Sequence, residues 1–375
     1  CSARYGHSSS QKITSWTAIP SWHTSGIVTR HAMNPRLALL IRIITLLALA
    51  THAQAQLRPS SAITCGKETL CELQLYIEND SFGAGTDRYY TNGFKIGGGM
   101  KADLLIELVL QKPAERVLNE ISSIADKAQF GLFVGQNMYT PRRITQGAPQ
   151  PFDRPWAGWL YIGGVAQGVI GNRLHTVELD IGVVGPLAQG KLVQTEWHKL
   201  VGADAPQGWH NQLKNEPGVL LAYVGKWRYG PETGIQLVPH FGVTLGNVMT
   251  LARAGGVLRM GQNMKGFGQD TIEPSGAMLQ RDLGGTNKSG WDWNVFAGVD
   301  ARLIARNIFL DGNSFRNGPS VDSRTFVYDL KAGLSMRFAP VHLSVTRIRR
   351  GEEFTTPLGG GGQQKFYSVN VSWEF

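Results

Sequence analysis

The chain has 375 residues, with 37 Lys and Arg against 28 Asp and Glu, so its formal net charge is +9. Five of the basic residues and none of the acidic ones lie in residues 1–55, which leaves 32 against 28 in residues 56–375, a net charge near +4. This slight basicity, without a basic stripe interleaved with aromatic residues, gives no case for a nucleic-acid-binding protein.

The first 55 residues are expected to lie outside the working domain. Residues 1–32 show no periodicity and are interpreted as an upstream segment that is not native to the protein. Residues 33–55 combine a basic start, an apolar run and a final Ala-Gln-Ala, which predicts a secretory signal peptide. A single transmembrane anchor is the alternative, but the run is too short and contains Arg42. The mature domain would then be 56–375.

Two cysteines remain after such a cleavage, Cys65 and Cys71. In an oxidising periplasm they can close one small disulfide loop. A cysteine-based metal site would need further ligands nearby, and the sequence offers none.

Short segments of alternating apolar and polar residues follow one another along the mature chain. In the last one, Tyr367, Val369 and Val371 alternate with serine and asparagine. Such alternation is typical of strands with one face in lipid and one in a wet lumen. It predicts an all-β, transmembrane antiparallel β-barrel of about twelve strands, at 71–80, 89–100, 128–138, 156–168, 174–186, 217–229, 234–246, 250–261, 291–304, 323–338, 341–350 and 365–375. The long segments 101–127 and 262–290 would then face the periplasm.

Polar residues concentrate at the outer ends of the first two strands, in Glu78-Asn79-Asp80 and in Asp87–Gly93. Because these strands are hairpin neighbours, the two groups should meet. Asn79, Asp80 and Thr91 could together offer oxygen atoms to a hard cation such as calcium. The alternative is an ordinary polar turn, since Asn, Asp and Gly are common turn formers.

A short amphipathic helix is predicted at Leu192–Val201, inside the loop that follows the fifth strand, with Gly202 ending it. Gln194 and His198 are four residues apart and so share one face. The helix is expected to lie against the barrel with His198 facing the carboxylates of the first two strands. A purely structural histidine is the alternative. His240 and His342 are expected to face the lumen.

These patches together resemble the outer-membrane lipid A deacylases (the lipid A 3-O-deacylase family). The resemblance runs in order along most of the mature chain, through the segments 78–80, 87–93, 135–141, 153–159, 182–186, 193–198 and 208–212. It implies a twelve-stranded barrel in the bacterial outer membrane, with its active site at the extracellular end. The implied activity is calcium-dependent hydrolysis of an acyl ester on lipid A of lipopolysaccharide, similar in logic to phospholipase A2. The enzyme would be a carboxylic ester hydrolase, and we expect a monomer.

The same resemblance assigns roles to single residues. His198 would be the base that activates water, with Asn79 and Asp204 as further catalytic residues. Asp204 stands where the family often has Glu. Arg88 would bind the substrate. The Ca²⁺ ligands would be Asp80, Thr91 and Gln194, with Asn79 near the ion.

Two other functions remain open at this point. A non-enzymatic barrel, either a porin or a structural protein, would have a wide polar lumen and no reason to concentrate polar groups at one rim. Another outer-membrane lipid-modifying enzyme, such as a Ser–His phospholipase, would need a serine beside a histidine on the lipid-facing wall, and no such pairing is apparent. The mature chain has no Gly-x-Ser-x-Gly or His-Glu-x-x-His motif, so direct attack by water is the simplest hydrolytic chemistry.

Overall fold

Twelve antiparallel strands form a closed barrel in the computed structural model, which describes residues 70–80, 88–100, 127–268, 270–273 and 291–375. Each strand pairs with its neighbour in sequence, and the last pairs with the first. The strands are β1 (Leu70–Asn79), β2 (Tyr89–Met100), β3 (Lys127–Thr140), β4 (Ala157–Ile170), β5 (Arg173–Val184), β6 (Glu216–Trp227), β7 (Gly234–Gly246), β8 (Met249–Gln262), β9 (Trp291–Asn307), β10 (Phe326–Phe338), β11 (Val341–Arg350) and β12 (Gln364–Glu374).

The predicted fold is confirmed, and every strand lies within three residues of its predicted bounds. The alternation works as expected: in β12, Val371 and Trp373 are exposed on the outer wall, whereas Ser368 and Asn370 are buried inside. His240 and His342 both face the lumen as predicted, where they contact Asp300 and Ser335 respectively. Three short strands in the extracellular loops, Asp322–Ser323, Phe354–Thr356 and Gly359–Gly360, form a separate small sheet.

The lumen is packed with aromatic rings and paired charges. The ammonium of Lys95 lies 2.8 Å from the carboxylate of Glu178, and both side chains are fully buried. Asp329 accepts hydrogen bonds from Arg302 at 2.6 Å and from Arg350 at 3.1 Å. Buried charges are tolerated when they are paired in this way. A wide polar channel, as a porin would require, is therefore not what this interior provides.

The connection after β8 departs from the predicted topology, because part of it enters the lumen instead of facing the periplasm. Phe267 packs against Val169 and Leu174 at the end of the β4–β5 hairpin. Further along, the main-chain amide of Ile272 donates to the Glu78 carboxylate at 2.8 Å. The side chain of Glu273 is 3% exposed and contacts Tyr139, Arg302 and Arg350. Residues 264–268 and 270–273 are called the inner segment below. No periodicity in the sequence distinguishes such a segment from a loop.

A one-turn helix, Ile308–Asp311, follows β9. Its first three residues are fully buried, and the ring of Phe309 stacks on Tyr139 with the centroids 4.0 Å apart. The aromatic pair therefore packs into the extracellular end of the barrel.

The described residues test only part of the predictions made for the N-terminal region. The proposed upstream segment and signal peptide lie outside the described residues. Cys71 is disulfide-bonded. Its partner lies outside the described residues, so pairing with Cys65 stays a prediction. Within the described ranges, no helix is long and apolar enough to cross a membrane.

Candidate active site

The helix α1 (Gly190–Val201) occupies the long loop between β5 and β6 and packs against β3 and β4. Its buried residues, Gly190, Gln194 and His198, recur every fourth position and so form one face. Gly202 ends the helix in the left-handed region with φ 70°, as predicted from its position. The helix is confirmed and begins two residues earlier than predicted.

A cavity of about 930 Å³ lies between α1 and the outer, lipid-facing wall of the barrel. Its apolar lining comes from both sides, and the barrel contributes a row of side chains that the alternation places in lipid, among them Ile77, Phe94 and Leu160. In the register of β1 and β2, Asn79 and Asn92 form the next outward-facing row toward the extracellular end. The cavity is therefore apolar along the membrane-facing part of the wall and polar toward the extracellular end. The lining residues are Ile77, Asn79, Thr91, Asn92, Phe94, Val134, Gly135, Gln136, Met138, Ile144, Leu160, Gln189, Val193, Gln194, Trp197, His198, Val201, Ala203 and Asp204.

On the barrel side, the polar groups of β1, β2 and β3 are linked to one another. The Asn79 side-chain amide donates to the Thr91 carbonyl at 3.2 Å. The hydroxyls of Thr91 and Thr140 lie 2.7 Å apart. A register shift between Tyr90 and Asn92 turns the chain at Thr91. All three linked residues are at most 5% exposed. Asn79, Thr91 and Thr140 therefore form a fixed polar patch on the barrel side of the cavity, which is called the floor below.

Asp80 lies directly after β1 and is 1% exposed. Its carboxylate accepts a hydrogen bond from the main-chain amide of Arg88 at 2.6 Å, and its own amide donates to the Thr91 carbonyl at 3.3 Å. The predicted junction of Asn79, Asp80 and Thr91 is thus present in the structure.

Glu78, in contrast, takes no part in this site. Neighbouring residues of a strand point to opposite faces. Its carboxylate accordingly lies in the lumen, where it accepts hydrogen bonds from Ile272 and from the Tyr90 hydroxyl at 2.8 Å each. For the first strand, the expectation that His198 faces a carboxylate can therefore concern Asp80 but not Glu78. The acidic residue of the second group, Asp87, lies outside the described residues.

His198 is oriented by a main-chain group. Its Nδ1 contacts the carbonyl oxygen of Asp204, and a carbonyl can only accept a hydrogen bond. Nδ1 must therefore carry the hydrogen, and in the neutral ring Nε2 is the basic nitrogen. The side chain of Asp204 is exposed, so the structure brings this residue to the site through its backbone.

Gln194 lies one turn before His198 and is 2% exposed. Its side-chain oxygen accepts a hydrogen bond of 2.7 Å from the indole of Trp209. Trp209 stands in a short turn, Trp209–Asn211, and belongs to a buried cluster with Met138, Ile144 and Trp156. The same cluster therefore lines the cavity through Met138 and Ile144 and supports α1 through Trp209.

Arg88 stands apart from these groups. Its guanidinium lies over the ring of Tyr89, 5.4 Å from the centroid, and it does not line the cavity. What it contributes directly to the junction is its main-chain amide, which holds Asp80.

The predicted calcium ligands suit a hard cation in part. Asn79, Asp80 and Thr91 combine one carboxylate with amide and hydroxyl oxygens, the donor types that calcium prefers. The oxygen of Gln194 already accepts the indole hydrogen bond, so its role as a ligand is less direct. Among the described residues, no three His, Cys, Asp or Glu side chains cluster as a metal site, and Asp80 is the one carboxylate in the predicted set.

Three residues of the site were not predicted from the sequence: Gln136, Thr140 and Trp209. Gln136 and Thr140 occupy lipid-facing positions of β3, and the Gln136 amide donates to the Ala188 carbonyl at 2.6 Å. A polar residue in an outward register position is a usable signal, but only once the register is known. Trp209 carries no local signal for its contact with Gln194.

The comparisons with known proteins concern the family and the barrel fold. A family described as outer membrane protein LpxR matches residues 39–375. A search of curated proteins finds no match. Among solved structures, LpxR from Salmonella typhimurium aligns with a TM-score of 0.66 at 21% identity, over 81% of this chain and 100% of that one. The β domain of the Bordetella autotransporter BrkA aligns with a TM-score of 0.41 at 11% identity, over 82% of this chain and 100% of that one. The Salmonella structure shares the fold.

Proposed function

Because the chain belongs to the LpxR family of outer membrane proteins, we propose that it removes an acyl chain from lipid A in the bacterial outer membrane. The observation that carries this proposal is the cavity of about 930 Å³ on the lipid-facing wall, which joins an apolar lining to buried polar groups that include His198. A substrate with apolar chains and an ester near its polar head matches such a site.

The position of the cavity favours an enzyme over a pore. The polar groups lie outside the barrel wall under α1, while the lumen is filled by side chains and the inner segment. A lipid can reach the cavity from within the membrane. A solute crossing the barrel would meet Tyr139, Phe309 and the ion pairs of Arg350 instead.

In the proposed reaction, Nε2 of His198 takes a proton from a water molecule. The resulting hydroxide attacks the acyl carbonyl, the ester C–O bond breaks, and the proton on His198 passes to the leaving alkoxide, which gives a fatty acid and a hydroxyl group on lipid A. The Asp204 carbonyl keeps the ring in the required tautomer. The linked polar side chains of Asn79, Thr91 and Thr140 form the surface next to the ester. A positioned general base of this kind contributes about 10²–10⁴-fold in rate.

A calcium ion held by Asp80, with oxygens of Asn79 and Thr91 nearby, would supply positive charge to the substrate's developing oxyanion. Asp80 is buried, and its carboxylate is fixed by the Arg88 amide. This contact keeps the carboxylate that would bind the ion at the β1–β2 junction. Arg88 lies at the same rim and is assigned to the substrate's anionic head.

Mass spectrometry of lipid A from cells with and without the protein tests the proposal. We expect loss of one ester-linked acyl chain with the wild type, and at least about a 10²-fold slower reaction with His198→Ala. His210→Ala is the matched control, since His210 lies in the same loop but is exposed and outside α1. Unchanged lipid A with the wild type, or a dead His210→Ala beside an active His198→Ala, contradicts the proposal. Release of fatty acid from phospholipids alone would instead indicate another lipid-modifying enzyme.

The calcium role is tested separately with Asp80→Ala and with EGTA. Each should abolish ester hydrolysis, while heat-modifiable gel mobility stays that of a folded barrel. Calorimetric titration of the purified protein with calcium should give binding for the wild type and none for Asp80→Ala. Full activity in EGTA refutes this role and leaves the deacylase proposal intact.

A further inference from the structure

The contact between Trp209 and Gln194 fixes which way the Gln194 side chain is turned. An indole N–H is only a donor, so the atom that it meets at 2.7 Å must be the amide oxygen. The amide nitrogen then points away from Trp209. Gln194 and His198 both line the cavity. The side of the Gln194 amide that is turned away from Trp209 carries its N–H donors.

Trp209 is itself held rigidly. It is 1% exposed, and its ring packs on Trp156 with the centroids 5.1 Å apart. Two glycines allow this packing: a Cβ on Gly190 would lie 2.5 Å from the Trp209 ring, and a Cβ on Gly208 would lie 2.5 Å from the Trp156 indole nitrogen. An indole fixed in this way can select one orientation of the amide.

We propose that Gln194 donates a hydrogen bond to the carbonyl oxygen of the scissile ester, and that Trp209 is the positioning residue that holds it in that orientation. This inference rests on the proposed deacylase function. Gln194 and His198 are four residues apart on one face of α1, a spacing of about 5–6 Å between their Cβ atoms. The helix would thus present the base and the donor to one ester group. A donor aimed at the developing oxyanion stabilises the transition state more than the ground state.

This role differs from the calcium ligand that the family resemblance predicts for Gln194. A ligand uses the amide oxygen, whereas an oxyanion donor uses the amide nitrogen. Gln194→Glu separates the two. Its carboxylate is a good calcium ligand but, when ionised, has no donor.

The experiment measures kcat, KM and the calcium concentration for half-maximal activity on purified lipid A in detergent micelles. For Gln194→Glu we expect kcat to fall by about 10²–10³-fold, the usual effect of losing an oxyanion donor. KM and the calcium requirement should change little. Retained kcat with a lower calcium requirement would overturn the inference in favour of a ligand role.

Trp209→Phe keeps an aromatic ring but removes the donor to Gln194. We expect kcat to fall by about tenfold, the effect of one neutral hydrogen bond, with KM unchanged. Trp227→Phe makes the same exchange at the other end of the barrel, where Trp227 stacks on Phe241, and should keep kcat near the wild-type value. Equal kcat values for the two variants would show that the Trp209 hydrogen bond does not matter, which overturns its positioning role.

The activity of a double variant distinguishes a positioning role of Trp209 from a role in packing alone. In a Gln194→Met background the donor is already lost, so adding Trp209→Phe should cost no further activity. Additive losses would show that Trp209 does not act through Gln194. If the wild type itself leaves lipid A intact, the proposed function fails; if the wild type is active and only these variants behave otherwise, the inference fails alone.

Discussion

His198, the proposed base, is held by a backbone oxygen, which makes the identity of residue 204 less important than its position. The Asp204 carbonyl contacts Nδ1 of His198, while the carboxylate is exposed. A main-chain contact does not depend on side-chain length, so the shorter Asp, at a position where the resemblance led us to expect Glu, orients His198 equally well.

Asp204→Ala should accordingly keep the deacylation rate within about threefold of the wild type, as expected for an exposed side chain whose substitution changes free energies by about 0.5 kcal/mol. Initial rates of fatty-acid release measure this, with His198→Ala as the inactive reference. A loss as large as that of His198→Ala would show that the carboxylate itself is needed.

Single residues also show where the sequence was informative. Asn79, Thr91, Gln194 and His198 were predicted and do line one cavity. Their chemistry and spacing could be read along two neighbouring strands and one helix. Thr140 was missed, because its contact with the Thr91 hydroxyl depends on the pairing of β2 with β3, which a single sequence does not specify.

Among the elements, α1 depends on a contact that contradicts ordinary helix preferences. Alanine normally stabilises a helix relative to glycine by about 1 kcal/mol. At Gly190, however, a Cβ would overlap the buried ring of Trp209. The first turn of α1 reaches its place on the wall because this residue has no side chain.

Gly190→Ala should therefore lower activity by displacing Gln194 and His198 from the cavity, although the barrel itself stays folded. Steady-state hydrolysis and gel mobility without boiling measure the two effects. Lys191→Ala, at the exposed neighbouring position, is the control and should behave as the wild type. Wild-type activity of Gly190→Ala would mean that the Trp209 ring moves freely enough to accept a methyl group.

The barrel strands could be predicted from the sequence, whereas the docking of α1 could not. Lipid on one side and a packed lumen on the other impose a period of two on every strand, which the sequence displays directly. The docking of α1 instead depends on long-range contacts such as Gly190 with Trp209. The inner segment, for its part, has no periodicity to read.

For the molecule as a whole, Glu273 is a hub of the buried charges. Its carboxylate lies 2.7 Å from Arg350 and 3.8 Å from Arg302, and it also accepts the Tyr139 hydroxyl. Removing one member of a buried ion pair leaves the remaining charge poorly compensated. The inner segment is therefore expected to contribute to the stability of the whole barrel.

Glu273→Ala should destabilise the folded barrel by about 3 kcal/mol. Urea unfolding in detergent, followed by the fraction of heat-modifiable protein, measures the change. Glu352→Ala removes a partly exposed pair with Arg324 and should cost at most about 1 kcal/mol. Equal midpoints for the two variants would show that Asp329 and Glu353 suffice to compensate Arg350.

The inner segment contacts the lumen face of β1 and β3, strands whose outer face contributes to the floor of the cavity. Glu78, Tyr90 and Tyr139 face inward, and each is followed in the chain by an outward-facing or floor residue: Asn79, Thr91 and Thr140 respectively. The Ile272 amide and the Glu273 carboxylate bind two of these three inner residues. Deleting the inner segment would remove both contacts from the strands that carry Asn79, Thr91 and Thr140. If the proposed hydrolysis depends on those three residues, a variant that gains conductance in this way should lose ester hydrolysis, because the same strands form the lumen on one face and the cavity on the other.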